Sequence, residues 1–177
     1  MFLENLAVII GAVVVVTFLW IIVGIRHLRY LQQELLEQWE LIDEVLRKRY
    51  DLIPNLIETI RKFVNSEEIL IESVIQDRQK VAKEYSKGME RIVLEHTFTH
   101  DINELINIGT KSPELTADTN YLELRKEIDD LEQNIENKTD RYNEMVRYYN
   151  KHRETAILKP ISVVWRFRPE TIFEVEK

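Results

Sequence analysis

The sequence predicts an all-α protein: an N-terminal transmembrane helix that continues into an antiparallel four-helix (up-down-up-down) bundle, with an irregular C-terminal tail. Three observations carry this. From Leu6 to Ile25 the chain reads LAVIIGAVVVVTFLWIIVGI without a charged side chain, and about twenty such residues match the ~30 Å hydrocarbon thickness of a bilayer. Beyond it, apolar residues recur at spacings of three and four, the helical period, with no alternating strand pattern over Arg26 to Glu154. Glycine, at 4 of 177 residues, is too scarce for a turn-rich sheet protein.

The apolar stretch is expected to be a retained anchor. A cleaved signal would carry basic residues before a shorter apolar run, whereas Met1 to Asn5 has none and no convincing small-residue cleavage site follows. Arg26, His27 and Arg29 on one side, against Glu4 on the other, place the C-terminal part in the cytoplasm by the positive-inside rule. The expected organisation is a short outer N-terminus (1–5), the span (6–25), a cytoplasmic bundle (26–154) and a tail near the membrane (155–177). Ala7 and Gly11 form a small-xxx-small pair, a spacing common by chance.

Leu28, Leu31, Leu35, Trp39, Ile42, Val45 and Leu46 extend the anchor as an amphipathic helix to about Tyr50. A second stripe runs through Ile53, Leu56, Ile57, Ile60, Phe63, Val64, Leu70, Ile71, Val74, Ile75, Val81, Ala82 and Tyr85. It predicts one helix from about Leu52 to Tyr85, with Glu67 and Arg78 as polar interruptions at inward spacings. Gly88 punctuates it, and Met89, Ile92, Val93, Ile102, Leu105 and Ile106 mark a weaker third helix ending near Gly109. A loop is expected over Ile108 to Thr119. Tyr121, Leu124, Ile128, Leu131, Ile135, Tyr142, Met145, Val146 and Tyr149 then hold heptad-like phase in a fourth helix from about Asp118 to Arg153.

Short connections make neighbouring helices antiparallel, so the fourth helix returns the tail toward the bilayer. Ile157 to Pro169 is apolar and aromatic with only positive charges, a composition suited either to a headgroup interface or to an irregular cap under the bundle. Arg26, Arg29, Trp165, Arg166 and Arg168 are the membrane-interface candidates. A length conflict accompanies this arrangement. The first helix past the membrane would be ~37 Å and the second ~51 Å, which would drive Asp77, Arg78, Lys80 and Lys83 toward lipid unless the second breaks near Asn65-Ser66 or the bundle tilts.

Between the first two stripes, Arg47-Lys48-Arg49-Tyr50-Asp51 and Pro54 read as a helix corner. Three cations suit a helix C-terminus, Asp51 suits the next N-cap, and Pro54 fits a first turn that lacks amide partners anyway. As a basic hairpin tip far from the membrane, Arg47, Lys48, Arg49 and Asp51 are candidates for docking an acidic partner segment.

Composition and motifs exclude much else. With 31 acidic and 24 basic residues the net charge is -7, and the cations are interleaved with acids along helices, which argues against nucleic acid. Cysteine is absent, removing disulfides, thiolate catalysis and thiolate-bound zinc. His96 and His100, with Glu104 one turn on, are weak metal candidates, but the intervening Thr97-Phe98-Thr99 lacks the Glu of a zinc-protease motif. A di-iron bundle needs Glu-x-x-His pairs, and the residues three before the histidines are Gly24, Val93, Thr97 and Tyr149. There is no nucleophile elbow and no phosphate loop. No catalytic residue and no cofactor is expected.

Trp39, Asp43, Leu46, the run Arg47 to Thr59 and Glu67 resemble the signature block of the LemA family of bacterial membrane proteins. Ser112-Pro113-Glu114-Leu115-Thr116-Ala117 with Asn120-Tyr121-Leu122 resembles the family's loop into its last helix, and Glu132, Ile135, Arg141-Tyr142-Asn143 and Tyr149-Asn150 resemble that helix. The similarity runs over nearly the whole chain, including the placement of the membrane segment. Ser112 stands where the family usually has a bulky aromatic, Lys159-Pro160 where it has Phe-Pro, and Arg166-Phe167 where it has Gly-Phe.

The resemblance implies a single-pass anchor in the bacterial inner membrane, a short outer N-terminus, a cytoplasmic antiparallel bundle and no established catalytic activity. Its relatives include proteins tied to membrane remodelling and a neighbourhood of membrane metalloproteases. The function expected is therefore a non-enzymatic adaptor or scaffold. Its partners would be the lipid bilayer and an unidentified membrane or cytoplasmic protein, with homo-oligomers possible and no nucleic acid. The alternatives are a metal-binding enzyme centred on His96 and His100, and a self-assembling membrane-remodelling protein.

Overall fold

The computed structural model describes residues 1–63, 68–84 and 89–174, and among them every regular element is helical. The elements are α1 (Phe2–Arg61), α2 (Glu68–Lys83), α3 (Met89–Lys111), α4 (Pro113–Thr116), α5 (Thr119–Arg153) and α6 (Lys159–Val164). They fall into two compact units, one of Met1–Glu37 with Glu144–Glu170, the other of Gln38–Asn143 with Thr171–Lys177.

In the first unit residues 5–20 are exposed throughout, and the helix that carries them is long and apolar enough to cross a membrane. Burial begins at Gly24, where a Cβ would run into the side-chain end of Ile161 and lie 3.2 Å from Leu158 Cδ2. Leu28, Leu31 and Leu35 continue this buried face.

In the second unit the same helix carries Trp39, Ile42, Val45 and Leu46 inward, as their spacing predicted, and then departs from expectation. There is no corner at Arg47 to Glu58: α1 runs on to Arg61 with Pro54 inside it, and Asp51 is mid-helix. Ile53, Leu56, Ile57 and Ile60 are buried on α1. The helix expected over 52–85 is thus two, and α2 is only 16 residues long. The antiparallel partner of α1 is therefore much shorter than expected, and its Arg78 lies at Tyr50. The break foreseen at Asn65-Ser66 lies outside the described residues.

Pro54 is tolerated for a visible reason. It has no N–H to return to the Tyr50 carbonyl one turn back, a loss that contributes to the ~3 kcal/mol cost of an interior proline. Arg78 Nε, from α2, donates to that carbonyl at 2.6 Å, and its Nη2 lies 3.8 Å from Asp51. The orphaned acceptor becomes the joint between α1 and α2. At the end of α1, Arg61 reaches Glu68 at 2.5 Å, so these two helices run in opposite directions.

The other pairs follow from their contacts. Ser73 with Asp101 and Arg91 with the Val81 carbonyl set α3 antiparallel to α2. Asn120 with Thr59, Glu132 with Arg49 and Tyr142 with Trp39 set α5 antiparallel to α1. Asp118 caps α5 by accepting the Tyr121 amide at 2.8 Å. Gly109 gives Tyr121 room, since a Cβ there would sit 2.5 Å from its hydroxyl, which donates to the Ile106 carbonyl. Within the expected loop the structure places the last turn of α3 and the short α4, whose Leu115 is buried. Phe63, Met89 and Val93, expected to face inward, are exposed.

The tail is more ordered than an irregular coil. After α6, Arg166 takes φ 55°, the Phe167 amide bonds the Ser162 carbonyl at 2.9 Å and the Arg166 amide bonds the Val163 carbonyl at 3.3 Å. This Schellman closure wants glycine at the left-handed position, the residue the family resemblance puts where Arg166 stands.

Candidate functional site

The segment singled out in the sequence leads into the protein interior. Because α1 continues through it, Arg49 falls in phase with Ile42, Leu46 and Ile53 and is 1% exposed. The expected basic tip of three surface cations is therefore corrected: Arg47 is half-exposed on Asp43, Lys48 is exposed on Glu44, and Arg49 is buried. Asp51 remains at the surface.

Arg49 meets an inward charged face on α3 that the sequence reading missed. Arg91 (1% exposed) and Glu95 (0%) sit one turn apart there. Arg49 Nη2 contacts Glu95 Oε2 at 2.7 Å and Arg91 Nε contacts Glu95 Oε1 at 2.7 Å. Arg49 Nη1 donates to Glu132 at 2.5 Å and to Thr99 at 2.9 Å, and Arg91 Nη2 reaches Asp43 at 3.1 Å. The ions form one chain, Arg47–Asp43–Arg91–Glu95–Arg49–Glu132, in which three cations alternate with three anions. Tyr50 sits at its centre, donating its hydroxyl to Glu95 and accepting from Arg91 Nη2 at 2.8 Å. Phe98 covers it, edge-on to Tyr50 and 5.4 Å from the Arg49 guanidinium carbon.

The electrostatics follow from burial and pairing. Burial opposes the charge on Arg49, but Glu132 and Glu95 outweigh it and hold its pKa above the ordinary guanidinium value. Burial, then Glu95, push the Tyr50 hydroxyl far above the usual phenol range. A tyrosine held neutral so firmly is a poor general base near neutrality. What the network does is tie α1, α3 and α5 together at one register, because a slip of any helix strands a buried charge.

A second set of joints holds the tail. In the first unit Asn150 both donates to the Glu170 carbonyl at 2.8 Å and accepts the Glu170 amide at 3.0 Å, while the Tyr149 hydroxyl donates to the Arg168 carbonyl. In the second unit Asn143 makes the same two-bond clamp on Phe173, at 2.7 Å each way. Phe173 is buried edge-on against Trp39, ring centroids 5.1 Å apart.

The metal candidates are placed differently from expectation. His96 and His100 are both exposed on α3. The donor atoms that come within 4.8 Å of one another belong to His100, Asp101 and Glu104, without His96. Asp101 also accepts from Ser73 at 2.6 Å. Of the interface candidates, Arg26, Arg29, Trp165, Arg166 and Arg168 are all exposed in the first unit.

A helical protein with an exposed N-terminal apolar helix and a charge-stapled core is the class these features define. The sequence pattern of the LemA family matches residues 38–177, and the chain belongs to that family. The match begins after the apolar stretch, which lies outside it. No curated protein matches the chain.

The residues that carried the resemblance are largely the joints just described. Asp43, Arg47, Arg49, Tyr50 and Glu132 build the network, Trp39 and Tyr142 pair their rings, and Asn143, Tyr149 and Asn150 hold the tail. Arg91 and Glu95 carried one signal in the sequence: they share the heptad-like phase of Phe98, Ile102 and Leu105.

Proposed function

We propose that the chain is a single-pass membrane-anchored scaffold, an up-down-up-down four-helix bundle that acts through protein and membrane contacts and performs no catalysis of its own. The observation that carries this reading is the single helix from Phe2 to Arg61, which bears both the exposed apolar stretch and the core face of the bundle. Arg26 and Arg29 after the stretch, against Glu4 before it, favour a cytoplasmic bundle under a bacterial inner membrane. The Arg47, Lys48 and Asp51 side chains on α1 offer mixed charge for a partner, while Arg49 holds the helix that presents them.

Two measurements test it. The full chain stays with membranes in an alkaline wash, and a chain lacking residues 1–25 is released; release of both defeats the anchor. A photo-crosslinker placed at Lys48 or Asp51 in living cells gives a discrete adduct with another protein, weakened by R47E. Adducts between two copies of the chain favour self-assembly instead, and adducts to lipid alone, or none, defeat the scaffold reading.

A further inference from the structure

The first unit leaves an apolar surface exposed on the tail. On the tail, Leu158 and Ile161 close over Gly24, in the last turn of the apolar stretch, and Ile161 is fully packed. The other side of the same segment is bare: Ile157 (65% exposed), Val163 (67%), Val164 (68%) and Trp165 (43%) have no cover. Three cations, Lys159, Arg166 and Arg168, border them, Lys159 lying 3.4 Å from Glu154. Between Thr155 and Pro169 there is no acidic residue.

We propose that this face of α6 and the turn after it is a second membrane contact, inserting Val163, Val164 and Trp165 into the headgroup boundary of an anionic leaflet. The inference rests on the anchor reading, because the anchor fixes the depth. Gly24 ends the span, so a helix seated on Gly24 stands at the level where hydrocarbon gives way to headgroups, and its outward face meets lipid. Composition agrees with position: a tryptophan whose ring is apolar and whose N–H is polar, aliphatic neighbours, and the Arg166 and Arg168 cations suit that boundary. The Schellman closure at Arg166 turns the chain so that Phe167 is buried while Trp165 and Arg166 stay outside. The tail is thereby a stay beside the anchor, resisting tilt of the span.

The chain has no cysteine, so single-cysteine variants need no background changes. Full-length V164C, V163C, V14C and I69C, each carrying a polarity-sensitive fluorophore, are reconstituted in nanodiscs of phosphatidylcholine and phosphatidylglycerol, with helicity checked by circular dichroism. V164C and V163C should fall on the lipid side of I69C, between it and V14C: blue-shifted emission, several-fold stronger quenching by lipid-borne nitroxide than I69C, and partial protection from aqueous iodide. If V14C is lipid-like while V163C and V164C behave as I69C does, the inference fails and the anchor stands. If V14C itself behaves as I69C does, the anchor reading fails and takes the inference with it. In phosphatidylcholine alone, lipid quenching at Val164 should fall; equal quenching would remove the role given to the cations.

Discussion

Arg49 shows how one side chain changes meaning with its helix. At a helix end it would be a surface cation; inside a continuous helix it is a buried one, tolerable only because Glu95, Glu132 and Thr99 meet it. Removing one member of a buried pair leaves the other charge uncompensated, at a cost of about 3–5 kcal/mol. R49A should therefore lower the melting temperature by roughly 2–4 °C for each kcal/mol lost. K48A, next to it and paired in solvent with Glu44, should change stability by no more than about 0.5 kcal/mol. Tyr50 gives a pH signature. Its pKa rises on folding, so its contribution is complete below the ordinary value of 10.0 and is lost as pH climbs above it, where the unfolded chain releases a proton that the folded chain keeps. Urea unfolding of Y50F should show a shallower loss of stability than the parent between pH 10 and roughly 11.5.

At the scale of elements, α1 and α2 are joined by a proline's missing hydrogen bond. If Arg78 earns its place by satisfying the Tyr50 carbonyl, the two substitutions must couple. R78A should cost about 1–2 kcal/mol in the parent chain. In a P54A background, where the new backbone amide takes the carbonyl, it should cost less than half as much, as read from a double-mutant cycle. Additive costs would show that the contact is incidental. Pro54 itself is exposed, so its replacement removes little packing.

Over the whole molecule, the tail contributes to both compact units, residues up to Glu170 to one and those from Thr171 to the other. It acts through backbone clamps and one ring. F173A should cost about 3–4 kcal/mol through the cavity left beside Trp39. It should also make the C-terminus cleavable by carboxypeptidase at concentrations that leave the parent intact. A parent-like melting temperature and cleavage pattern would show that the tail only lies on the surface.

Much was legible in the residues alone. Leu28, Leu31, Leu35, Trp39, Ile42, Val45 and Leu46 are all buried, as helical spacing required, and α5 begins within one residue of its expected start. Apolar period and length are local properties, and burial follows them directly. The corner misled because a proline, an aspartate and three cations are local evidence for a helix end, while the donor that lets α1 continue, Arg78, comes from another helix. The charged face of α3 stayed hidden for a similar reason, since the partners that make its burial tolerable, Asp43 for Arg91 and Arg49 with Tyr50 for Glu95, come from another helix. The sequence by itself determined helical class, the N-terminal apolar stretch and core stripes, all set by near neighbours along the chain. Only the tertiary structure decided which polar groups are buried, because a buried charge is permitted by partners that the chain brings from tens of residues away.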